Sequence, residues 1–271
     1  MTKANQSDAP TLEAVKPPSK ALMISELRAL PELGAFLWAL PTLFATAPRG
    51  EGQPVLVLPG LATSDRSTIA LRKFLAAIGY PTYGWDQGRN FGPLPGVEEK
   101  LIATVKALHD KHGQKVSIVG WSLGGLYARQ LGKMLPDHVR QVISLGSPFN
   151  GDPRATNAWK LYQFTSGHAV DTKDKHMGSH IAPPPPSSVP TTAIYSRTDG
   201  ICAWQNCMEQ NAPHLENIEV RGSHCGLGHN PSAILAVADR LAQKEGAWKP
   251  FRREGIKRVI FPQPAAAPVP A

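Results

Sequence analysis

The sequence predicts an α/β fold: a mostly parallel sheet of about six strands, flanked by helices. Three observations predict it. Short apolar runs alternate with helical periodicity through most of the chain. The chain has 271 residues, 42% hydrophobic and 18% charged, enough to bury a sizeable core and too apolar for disorder. The residues with catalytic character fall just after predicted strands, where open parallel sheets carry their chemistry.

The elements run in order along the chain. Pro54–Pro59 is an apolar run between prolines and reads as the first strand. From Asp65 to Ile78, the residues Ile69, Leu71, Leu75 and Ile78 recur at helical spacing. Pro81 to Trp85 reads as the second strand, and Val97 to His112 as a helix with Leu101, Val105 and Leu108 on one face. Lys115–Val119 is the third strand. The following helix, Ser122 to Leu135, carries Leu123, Leu126, Tyr127, Leu131 and Met134 as its stripe. Val139–Leu145 and Thr191–Tyr195 are the fourth and fifth strands, Ile218–Val220 belongs to a sixth, and Ser232–Ala242 closes with a helix.

Residues 51–245 thus form the α/β domain. Residues 150–190 interrupt it with about 40 residues carrying Trp159, Tyr162, Phe164, His168, His176, His180 and a four-proline run. A structureless loop of that length is unusual, so the segment is expected to be a lid or cap. His168, His176 and His180 share a spacing that suits metal ligands, but nothing nearby completes a site, so no metal is expected.

The ends differ from the middle. Residues 1–19 are polar and proline-punctuated and are expected to be disordered. Residues 20–50 read as a helical extension. Within it, Leu33–Ala47 is apolar but only about 15 residues long and interrupted by Pro41, short of a membrane span. Three readings stay open for residues 20–47: two short helices packed on the domain, an interfacial helix in peripheral contact with a membrane, or an uncleaved export signal. Residues 246–271 form a C-terminal extension, and Phe261–Ala271 reads as a Pro/Ala-rich tail.

Lys and Arg exceed Asp and Glu by 8, but the basic residues are scattered and no aromatic stripe accompanies them. A solvated basic surface is expected and no nucleic-acid partner. Three cysteines exclude a disulfide scaffold; either Cys207 and Cys225 bridge two loops or the thiols are buried and free. With no secretory pattern at the N-terminus, a cytoplasmic location is expected.

Gly120-Trp-Ser-Leu-Gly124 matches Gly-x-Ser-x-Gly, and it lies where a strand turns into an amphipathic helix. Flanking glycines permit a tight turn that presents the serine hydroxyl, and the helix amino terminus behind it favours negative charge. A serine hydroxyl is a weak nucleophile near neutral pH and needs a neighbouring base. The order Ser, acid, His is satisfied by Ser122, by Asp199 after the fifth strand and by His224 after the sixth. His229 is the alternative base and Asp152 the alternative acid.

The segments Leu58–Leu61, Gly120–Gly125, Leu145–Phe149, Ser196–Gly200 and Gly222–Leu227 together resemble the α/β-hydrolase superfamily, in particular small bacterial lipases and esterases. The resemblance runs from about Pro54 to Leu241. It implies an α/β-hydrolase fold, Ser122 as nucleophile, His224 as general base and Asp199 as its orienting acid. It also implies an oxyanion hole made by the backbone N–H groups of Leu61 and Leu123. Where the family usually has His-Gly-x this chain has Pro59-Gly60-Leu61, which matters little for a backbone donor. The antiparallel hairpin that starts larger members is missing, which predicts a shortened sheet. The implied activity is ester hydrolysis through an acyl-enzyme, with a small-molecule or lipid ester as substrate and no cofactor. An acyltransferase, thioesterase or amidase would use the same triad, and a non-catalytic binding module the same fold. Trp121, Trp159 and Phe164 are candidates for contact with substrate.

Overall fold

A computed structural model describes residues 15–150, 155–158, 185 and 188–266. Six strands form one sheet: β1 Val55–Leu58, β2 Thr82–Tyr83, β3 Val116–Trp121, β4 Val139–Leu145, β5 Thr191–Tyr195 and β6 Leu215–Glu219. Their spatial order is β2-β1-β3-β4-β5-β6, and every neighbouring pair is parallel. β3 and β4 are buried along their whole length, because helices cover both faces.

Seven α-helices are described: α1 Lys20–Ile24, α2 Ala29–Thr46, α3 Ile69–Ala77, α4 Val97–His112, α5 Leu123–Met134, α6 Pro231–Leu241 and α7 Lys257–Ile260. A 3-10 turn, Ser25–Arg28, joins α1 to α2. Side-chain alternation along the strands divides the core. Val55, Val57, Val119, Ile143 and Ile194 pack against α2, α3 and α6. Leu56, Leu58, Ile118, Val142 and Ala193 pack against α4 and α5.

Two expectations change. Pro41 does not divide the N-terminal segment: it lies inside α2, which runs unbroken for 18 residues. A proline removes one helical hydrogen bond and crowds one carbonyl, and at an exposed position water serves that carbonyl instead. The expected C-terminal tail is anchored where it begins. Phe261 is buried edge-on against Phe251 with ring centroids 4.8 Å apart, and the Ala265 N–H donates to the Tyr195 hydroxyl at 2.8 Å. A buried aromatic outweighs the polar, proline-rich composition around it. The expected lid core, with Trp159, Tyr162, Phe164, His168, His176 and His180, lies outside the described residues, as does Asp152.

Candidate active site

The strand–turn–helix at Ser122 is tight because its glycines leave no room for anything larger. A Cβ on Gly120 would lie 2.2 Å from the Gly124 carbonyl oxygen, and one on Gly124 would lie 2.4 Å from that of Leu58. Ser122 between them has φ 52° and ψ −119°, a left-handed conformation that few non-glycine residues adopt. Its N–H donates to Leu145 O at 2.8 Å, which carries the β3–β4 pairing one residue past the strand.

Asp199 and His224 meet at the same end of the sheet, beyond β5 and β6. His224 Nδ1 donates to Asp199 Oδ2 at 2.6 Å. The second carboxylate oxygen, Oδ1, accepts the N–H groups of Ile201 at 2.8 Å and Cys202 at 2.7 Å. The aspartate is thereby fixed in orientation and holds His224 Nδ1 in its N–H form. Both side chains are buried. Burial alone would lower the His224 pKa, but the Asp199 carboxylate overrides it and holds the imidazole well above its ordinary range.

Residues on either side of Ser122 link it to this pair. Trp121 Nε1 donates to the His224 carbonyl at 3.1 Å, and the indole ring is buried against Gly228, where a Cβ would lie 3.0 Å from it. The Trp121 side chain is thereby tied to the His224 loop. On the β4 side, a Cβ on Gly146 would lie 3.1 Å from His224 Nδ1 and 3.2 Å from Asp199 Oδ2. Among the described residues no hydrogen bond joins Ser122 Oγ to His224. Such contacts are often long before substrate binds.

The loop after β1 crosses over the serine. A Cβ on Gly60 would lie 3.3 Å from the Ser122 Cβ, a tight approach that glycine eases. The N–H groups of Leu61 and Leu123 have no acceptor among the described residues. Asn90, fully buried, shapes this loop: its Nδ2 donates to Pro59 O at 2.8 Å, its carbonyl accepts Ala62 N–H at 2.7 Å, and its N–H donates to Thr63 O at 2.8 Å. Tyr127 on α5 donates to Asn90 Oδ1 at 3.2 Å.

The N-terminal segment also reaches the site, which the sequence did not reveal. Glu26 is buried, and its Oε1 accepts the N–H groups of Gly200 at 2.7 Å and His224 at 3.0 Å, while Oε2 accepts that of Cys225 at 2.8 Å. Burial works to raise the Glu26 pKa, but the three backbone hydrogen bonds outweigh it and hold the carboxyl below its ordinary value. Glu32 accepts Ser223 N–H at 2.9 Å and the Ser223 hydroxyl at 2.6 Å. Arg28 donates to the carbonyls of Thr198 and Gly222. One helical segment thus clamps both the Asp199 loop and the His224 loop. His229, the alternative base, shares a hydrogen bond of 2.9 Å with Ala29 O on that segment, while Asp199 Oδ2 pairs with His224.

Ligand-type atoms of Asp199, Cys202 and His224 lie within 4.8 Å of one another and could meet a metal ion. Both Asp199 oxygens already accept hydrogen bonds, from His224 on one side and from Ile201 and Cys202 on the other. The three cysteines are free thiols. Cys202 and Cys207 are buried, and Cys225 is exposed.

The parallel sheet, the serine turn and the buried Asp–His pair define the α/β-hydrolase fold, and solved structures share it. Lipase B of Aspergillus fumigatus matches with a TM-score of 0.55 and 20% identity, over 75% of this chain and 56% of that lipase. A soluble variant of the monoglyceride lipase of Saccharomyces cerevisiae, solved with a substrate analog, matches with a TM-score of 0.53 and 14% identity, over 72% of this chain and 89% of that one. The chain therefore spans little more than half the length of the fungal lipase B it resembles. No family model and no curated protein sequence matches it.

Proposed function

We propose that this chain is a serine hydrolase acting on carboxylic esters. The observation that carries the reading is the 2.6 Å His224–Asp199 hydrogen bond at the strand ends beside Ser122, whose strained backbone presents its hydroxyl. Ser122 Oγ attacks the ester carbonyl carbon as His224 Nε2 takes its proton. The carbonyl oxygen becomes an oxyanion, held by the Leu61 and Leu123 N–H groups. Collapse breaks the bond to the leaving alkoxide, which receives the proton from His224 and departs as an alcohol. Water then gives a proton to His224, attacks the acyl-enzyme and releases the acid, with the proton returned to Ser122. Asp199 keeps its charge throughout and stabilises the transient imidazolium.

Hydrolysis of p-nitrophenyl esters from acetate to palmitate tests this, with Ser122→Ala assayed beside the wild type. Turnover that vanishes in the variant is the expected result, and its optimum in acyl length distinguishes esterase from lipase. A folded wild type that cleaves no ester and is not labelled by a fluorophosphonate would overturn the reading.

A further inference from the structure

We infer that the N-terminal helical segment docks on an anionic lipid surface, with its axis lying along that surface. No charged residue occurs between Glu32 and Arg49, yet this stretch covers the outside of the protein. At helical spacing, Leu27, Leu30, Leu37, Trp38, Pro41 and Ala45 share the outward face, and all six are exposed. Trp38 is 88% exposed and Leu30 74%. A solvent-facing helix is ordinarily charged on that side, and a face of this size without charge marks an interaction surface.

Two further observations choose the occupant. The first is charge. Ala39, Leu43 and Thr46 of α2 share a groove of about 370 Å³ with Ile256, Lys257 and Ile260 of the C-terminal extension. That extension exposes Ile256 and Val259, and within ten residues it carries Lys249, Arg252, Arg253, Lys257 and Arg258 against Glu254, with Lys257 also paired to Asp239 of α6. An apolar face beside a basic rim complements anionic headgroups over acyl chains. A second copy of this chain would instead bring together two molecules each carrying a formal charge of +8. The second observation is the polar clamp. Residues 20–46 are long and apolar enough to cross a bilayer by length and composition. Glu26, Arg28 and Glu32, however, are bonded to the loops after β5 and β6, and a spanning helix would tear out those bonds. The helix therefore lies on the membrane, with the strand ends that hold His224 close to the lipid.

Co-sedimentation of the full chain with vesicles tests the inference without relying on turnover. Vesicles of phosphatidylcholine alone are compared with vesicles containing about 30% phosphatidylglycerol, at low and high salt. The wild type is expected to pellet with the anionic vesicles and to be released by salt. The pair Leu37→Glu and Trp38→Glu, both surface changes, is expected to reduce pelleting by about tenfold or more while labelling of Ser122 by a fluorophosphonate persists. Ser122→Ala is expected to bind as the wild type does, so a failure of the ester reading leaves this inference intact. A wild type that stays in solution with both vesicle types would overturn it, as would equal binding to neutral and anionic vesicles. So would a wild-type dimer in sedimentation velocity that the double variant converts to a monomer.

Discussion

Glu26 touches no substrate position, yet its loss should lower turnover. It is a positioning residue, because it holds the main chain at His224, at Cys225 and at Gly200, next to Asp199. Each hydrogen bond from a buried N–H to a charged group contributes about 1.5–3 kcal/mol. Glu26→Ala strands three donors, and with water partly filling the gap the cost should be about 3–5 kcal/mol. Part of that appears as displacement of the His224 loop, and a misplacement of about 1 Å costs about 100-fold in rate. With a soluble short-chain ester, kcat should fall by about that factor while KM changes little. Glu26→Gln keeps one oxygen but turns an amide N–H₂ toward a donor, so its kcat should fall by only about 10-fold. The pH dependence supplies an independent readout. The folded pKa of Glu26 lies below the ordinary 4.5, so its contribution to stability is present above that pH and is lost as pH falls through the folded value. The urea-denaturation gap between wild type and Glu26→Gln should therefore be widest near neutrality and shrink in acid. A Glu26→Ala protein with wild-type kcat, or a gap that grows in acid, would refute the reasoning.

Other outcomes are expected. Asn90→Ala frees Pro59 O and slackens the loop over Ser122, so kcat should fall by about 10-fold or more in the same ester assay. Gly124→Ala forces a methyl to 2.4 Å from Leu58 O, and thermal unfolding should show a lower Tm, by about 10 °C or more, or no folded protein. Arg129 and Glu209 form a buried ion pair, so Arg129→Ala should cost about 3–5 kcal/mol in urea denaturation by leaving a carboxylate buried in the core. Because Asp199 raises the His224 pKa above 6.5, kcat/KM should rise with pH as the imidazolium loses its proton, and the residual activity of Asp199→Asn should show that limb at lower pH. The same shift gives stability that is complete below pH 6.5 and lost as pH rises through the folded value, which a denaturation series would show.

The strands and their helices were legible because each carries its own periodicity, and the functional end of the sheet could be read from the residues just beyond each strand. Ser122 lies in a local motif, and Asp199 and His224 come after β5 and β6, so chain order alone brought the last two to one place. Glu26, Glu32 and Asn90 escaped notice for a common reason. Their partners are mainly backbone groups, which leave no trace in residue type, and Glu26 lies 199 residues from Cys225. A glutamate in a helix ordinarily reads as surface charge. The continuity of α2 was hidden by Pro41, because the cost of a helical proline is smaller where the freed carbonyl faces water, and residue type does not show exposure.

The distance along the chain between that glutamate and its partners sets an order of events during synthesis. At about 5–20 residues per second, α2 leaves the ribosome about 10–40 s before Cys225 exists to meet Glu26. Through that interval a helix without charge from Leu33 to Pro48 has no completed sheet beneath it and is exposed to chaperones and to any nearby bilayer. A helical segment made early is thus seated late, and its seating fixes the loops that carry Asp199 and His224. Assembly of the Asp199–His224 pair is thus tied to completion of the chain through β6 and the turn after it.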